Sequence, residues 1–150
     1  MTEEEYRSRL VEILTQHSGQ ATNILRSVLA QTPDRATELE LEIFPNQEGD
    51  GAFTVEASFE GPDYYVLNRS VRDIPELFVV RHGEKGFVPD VPMFDPFRQP
   101  FPVNDVIVDC VAEWLTQLWL TLGVPRYRLP VRVVGHDDFG TATPIELYRP

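Results

Sequence analysis

The sequence predicts an α+β fold, an antiparallel sheet packed by a long N-terminal helix and by a broad apolar helix over 103–122. Three observations carry this. The stretch VNDVIVDCVAEWLTQLWLTL, wound at roughly 100° per residue, gathers Val103, Ile107, Cys110, Val111, Trp114 and Leu118 on one face. Between 38 and 60 the apolar period falls to two, the mark of half-buried strands. The strand-like segments also cluster between two helical blocks instead of alternating with helices, which favours an antiparallel over a parallel arrangement.

The first block opens with a capping box, Thr2 and Glu5, with Glu3 and Glu4 at the positive end of the helix dipole. Tyr6, Leu10, Ile13, Leu14, Ala21, Ile24, Leu25 and Val28 then stay in helical phase through Ser18-Gly19. That continuity favours one helix from about 3 to 31, bent at Gly19, over two separate helices, while the cost of a glycine inside a helix leaves a break there open. His17 falls on the stripe and reads as a satisfied core or boundary histidine.

Leu39, Leu41 and Ile43 alternate with Glu38, Glu40 and Glu42, and Phe53, Val55, Ala57 and Phe59 alternate with Thr54, Glu56, Ser58 and Glu60. The intervening NQEGDG is turn chemistry, so the two segments predict a hairpin. A third strand is expected over Tyr64–Arg69 and another hairpin around HGEKG (82–86). From Pro89 to Pro102 the prolines deny the chain a helix or a ladder. It should run extended, pinned to the core by Phe94, Phe97 and Phe101.

In the helix over 103–122, Val108, Leu115, Trp119 and Leu122 widen the apolar arc to about 200°, so the helix must be covered on most of its circumference. Asp105, Asp109, Glu113 and Thr116 share the remaining, solvated stripe. Asn104 is the expected N-cap, and Gly123 with Pro125 the stop signal. Leu129–Val134 and Pro144–Tyr148 read as two further strands.

At 150 residues the chain is expected to form a single domain, 1–150, with a real core. Its formal charge of −11 disfavours nucleic acid and an acidic membrane surface as partners, and leaves a basic protein partner open. One cysteine excludes an internal disulfide. The acidic N-terminus and the lack of a long apolar run predict a cytoplasmic protein, and no cofactor motif is present.

Three places could carry chemistry. His136, Asp137 and Asp138, with Glu146 nearby, are the most metal-like cluster. Adjacent residues on an extended chain diverge, however, and the plainer reading is a hairpin connection whose Asp side chains bond local amides before Gly140. Cys110 with His82 or His136 would make a nucleophile pair, but its apolar surroundings point to a structural thiol. Finally, pairing of 38–44 with 52–60 puts Glu38, Glu40, Glu42, Glu56 and Glu60 on one face. Like charges across strands destabilise a sheet, so these five are a plain solubilising face, or pair with Arg69, Arg72 or Arg81, or form a surface for a basic partner.

At VLNRSV (66–71), FPVNDVIVDCVAEWL (101–115) and VVGHDDFGTATPIEL (133–147) the chain resembles an uncharacterised bacterial family along its whole length. That resemblance implies no activity and transfers no site residue. In size and acidity the chain is also similar in type to bacterial toxin-immunity proteins. The expected function is therefore a non-enzymatic acidic binding protein of the immunity kind, its acidic sheet face set against a basic protein. The alternatives are a small metal-dependent enzyme or metal-binding protein using 136–138, and a domain that binds an apolar small molecule between sheet and helix.

Overall fold

The computed structural model describes residues 1–124 and 126–150. It is an α+β arrangement of four helices and a mixed, mostly antiparallel sheet of five strands. In chain order the elements are α1 (Glu3–Gln16), α2 (Ser18–Ala30), β1 (Glu38–Pro45), β2 (Phe53–Glu60) and α3 (Tyr64–Leu67). Then come β3 (Phe78–Val79), β4 (Arg81–Gly83), β5 (Gly86–Val88), α4 (Val103–Leu122), β6 (Val131–Gly135) and β7 (Ile145–Tyr148). The main sheet has the order β3-β2-β1-β6-β7, and β4 and β5 form a separate hairpin.

Every residue of the expected apolar arc of α4 is buried. The helix starts straight after Pro102, without the expected Asn104 cap. Asn104 is instead buried, its Nδ2 donating to the Asn46 carbonyl at 2.9 Å, so it ties α4 to the β1–β2 turn. Gly123 ends the helix in the left-handed region, at φ 61°, as a stop residue should. Pro125, the other half of that expected signal, lies outside the described residues.

The sheet departs from expectation at its centre, where β6 pairs with β1 in parallel. The reason is the course of α4. It begins beside Asn46, at the end of β1, and its 20 residues extend about 30 Å, enough to return the chain to the start of β1. β6 then runs alongside with Val131 beside Leu39. Leu39, Leu41, Ile43, Val131 and Val133 form the completely buried face under α4.

The long N-terminal helix is two helices, broken at His17 rather than bent at Gly19. The His17 ring Nδ1 takes the Ile13 carbonyl at 2.8 Å, the partner the His17 backbone N–H would otherwise have. That N–H turns to Leu14, and the helix stops. The ring also packs edge-on against Phe78 at 5.2 Å, the satisfied boundary position expected of it.

Residues 64–71 are helical turns, where a third strand was expected. Only Leu67 among Tyr64–Leu67 is buried. Asn68 substitutes for a strand: its side-chain amide accepts from the Phe59 N–H at 2.7 Å and donates to the Phe59 carbonyl at 2.9 Å. In the proline-rich stretch, Phe94 and Phe101 pack on Tyr6, with ring centroids 4.9 and 5.5 Å away, while Phe97 stands 94% exposed. Two of the three phenylalanines pin the strap and the third does not.

Candidate functional site

The acidic face follows from alternation. On β1 the apolar residues point under α4, which sends Glu38, Glu40 and Glu42 to the other side. The hairpin register then sets Glu38 directly opposite Glu60, and Glu42 opposite Glu56. Glu40 faces Ser58. All five glutamates therefore share one face, as their spacing predicts.

Among the described residues, the cations that pair with this face come from β6 and its end, not from Arg69, Arg72 or Arg81. Arg132 Nε lies 3.0 Å from Glu38 and its Nη2 3.9 Å from Glu40. His136 Nδ1 lies 2.8 Å from Glu42, and its ring packs on Phe44 at 4.7 Å. Arg81 pairs with Glu76 instead, at 3.9 Å. Among the described residues, Glu56 and Glu60 have no ion-pair partner.

The charges leave a signature. Loss of hydration, then the Glu76 and Glu42 carboxylates, push the pKa of Glu56 above the usual carboxylate range. Glu40 is pushed up by loss of hydration and by Glu60 and Glu42, which together outweigh Arg132. The hydrogen bond to Glu42 raises His136 above its ordinary value, so the imidazolium is favoured beside the acids.

Beside these residues lies a cleft of about 470 Å³, between the sheet and the 64–76 segment. Glu42, Glu56 and Glu76 line it together with Phe44, Tyr64 and Arg72. Sequence reasoning missed Phe44, Tyr64 and Glu76, because reading Tyr64–Arg69 as a strand removed the wall of the cleft. The turn Gly61-Pro62-Asp63, with Asp63 at φ 53°, precedes that wall but marks a strand and a helical turn alike.

The 136–138 cluster is a tight turn in which Asp137 and Asp138 both have positive φ, 51° and 59°. His136 Nε2 is 3.6 Å from Asp137 Oδ1, and Asp137 also accepts from Gln47. Asp138 lines a separate small cavity with Arg132 and Thr143, and Glu146 is bound by Arg149. Among the described residues, no three His, Cys, Asp or Glu side chains are grouped so as to hold a metal ion.

The local amides in this connection are bonded by α4, not by Asp137 or Asp138. Asp105 accepts from the Gly140 N–H at 2.8 Å, and Asp109 accepts from the Thr141 N–H and hydroxyl at 2.8 and 2.7 Å. The stripe expected to be merely solvated is thus a docking rail for the loop. Gly140 is needed there, since it has φ 101° and a Cβ would fall 2.5 Å from Val108 Cγ1. Cys110 is 5% exposed, 3.7 Å from Arg7 Nη1, and burial raises its pKa despite that arginine, as befits an inert thiol.

A family of unknown function (DUF6389) matches residues 1–149, and the chain belongs to it. No curated protein and no solved structure matches the chain significantly. No helix among the described residues is long and apolar enough to cross a membrane.

Proposed function

We propose that this member of a family without an assigned activity is a non-enzymatic binding protein of the bacterial cytoplasm. Its acidic sheet face and adjoining cleft engage a basic protein, as an immunity-type inhibitor does. The observation that carries the reading is the facing of Glu38 on Glu60 and Glu42 on Glu56, with Glu56 and Glu60 left without a cation among the described residues. Directly opposed like charges weaken a sheet, and Thr, Gln or Lys would serve equally well on a merely solvated face. A basic partner would supply the missing counter-charge and accelerate encounter.

The test is affinity capture from the native cell with the parent chain and a Glu56→Gln/Glu60→Gln variant, each at low and high salt. The reading predicts that a basic protein is captured, more weakly by the variant, and that the difference shrinks at high salt as the charges are screened. Equal capture by both chains sinks it. A stoichiometric metal in the purified protein, lost in His136→Ala, would replace it with the metal-dependent reading of His136, Asp137 and Asp138.

A further inference from the structure

The helical layer carries a groove that shares no residue with the acidic face. α1 and α2 advance alongside α4: Arg7 Nη1 reaches Cys110 Sγ at 3.7 Å, and Trp114 Nε1 donates to Ser18 Oγ at 2.9 Å. Between these helices lies an open groove of about 650 Å³. From the level of Cys110 to that of Thr121 it runs about 16 Å, at ~1.5 Å of helix rise per residue. Its volume falls within the range of small-molecule sites, about 300–1,000 Å³.

The groove is more apolar than its residue names suggest. Leu14, Trp114 and Leu118 are buried beneath it, and Val11 stands 49% exposed on its wall. Three threonines on its rim have their hydroxyls bonded to their own helix: Thr15 to Val11, Thr22 to Ser18 and Thr121 to Gln117, at 2.7, 2.7 and 2.9 Å. Their hydroxyl hydrogens are thus spent within their own helices. Gly19 adds open space, since a Cβ there would meet nothing within 4 Å.

Charge distinguishes the two ends. Arg26 stands at the Thr121 end and has no ion-pair partner among the described residues. Glu113 lies about two helical turns back toward Cys110. The cation nearest that other end, Arg7, is held by Glu3 at 3.1 Å. An anionic head is therefore welcomed at one end and repelled at the other. We propose that the groove binds an amphipathic anion, a medium-chain carboxylate, its hydrocarbon along Val11, Trp114 and Leu118 and its head on Arg26.

This inference goes beyond the basic-partner reading and uses none of its residues, so either can fail alone. The test is calorimetric titration of the full chain with decanoate and, as an uncharged control, decanol. Two variants, Gly19→Leu and Arg26→Gln, are titrated in parallel. Gly19 has no side chain to lose, leucine favours the helix, and Arg26 is exposed, so neither change removes a fold contact. A thermal melt of each variant checks this. The proposal predicts saturable decanoate binding, weakened at least tenfold by Gly19→Leu and severalfold by Arg26→Gln, with decanol weaker than decanoate on the parent. No saturable binding, or binding indifferent to Gly19→Leu, overturns the site. Equal binding of decanoate and decanol, or indifference to Arg26→Gln, overturns the anionic ligand.

Discussion

Two acidic stripes face different fates in this molecule. On α4, Asp105 and Asp109 are filled: backbone amides of residues 140–142 and the Thr141 hydroxyl donate to them. On β2, Glu56 and Glu60 look across the ladder at Glu42 and Glu38. Arg132 and His136 serve the β1 glutamates, and no cation among the described residues serves the β2 pair. An acid that holds a loop is explained by the fold. An acid set opposite another acid is not, and the proposed basic partner rests on that second stripe.

The contrast is broken most forcefully at Asp109. Asp109→Ala removes acceptors from two amides and a hydroxyl at once, and should destabilise the protein by about 1–3 kcal/mol in chemical denaturation. A change within error would mean that the α4 stripe is as idle structurally as a solvated face. Next comes Glu42, the acid of the sheet face that holds His136. Glu42→Gln gives up the charged hydrogen bond to His136 while relieving the repulsion from Glu56, so the two effects oppose. The charged bond outweighs the repulsion, and a net loss of up to about 1 kcal/mol is expected. A gain in stability would show that the His136 contact contributes nothing.

A smaller effect is a matter of pH. Because Glu42 raises the pKa of His136 in the folded state, the stability it contributes is fully present below the unfolded value of 6.5. It is lost as pH rises through the higher folded value. His136→Gln should therefore lack the parent's decline in stability through that window. Denaturation midpoints measured at half-unit steps decide it, and parallel curves would contradict the assignment.

How legible these stripes were differs for physical reasons. The glutamate face could be read directly, since period-two alternation and the NQEGDG turn fix a hairpin register locally. Its cations could not, because Arg132 and His136 arrive from β6, beyond the crossover through α4, and a parallel neighbour leaves no mark on the pattern of β1. The helix of 103–122 was legible because burial on nearly every side leaves a broad apolar arc. Its Asp105 and Asp109 looked idle because what they bind is mostly backbone, which carries no side-chain signature. Tyr64-Tyr65-Val66 imitates a strand in composition, yet Asn68 supplies the strand's hydrogen bonds from a side chain. With that misreading went the Glu76 wall of the cleft.

The central claim is that the β2 stripe weakens the isolated fold, and Glu56→Gln tests it most directly. Loss of hydration and the neighbouring Glu76 and Glu42 raise the folded pKa of Glu56 above 4.5. The carboxyl is therefore best tolerated below 4.5, and stability falls as pH rises through the folded value. At pH about 7 the variant should melt higher than the parent, by about 0.4–4 °C for a gain of about 0.2–1 kcal/mol. Near pH 4 most of the gain should vanish, because the parent's carboxyl is then largely protonated as well. A variant that melts at or below the parent at neutral pH would contradict the account, since Glu56 would then be contributing to the fold on which it is held to be a burden.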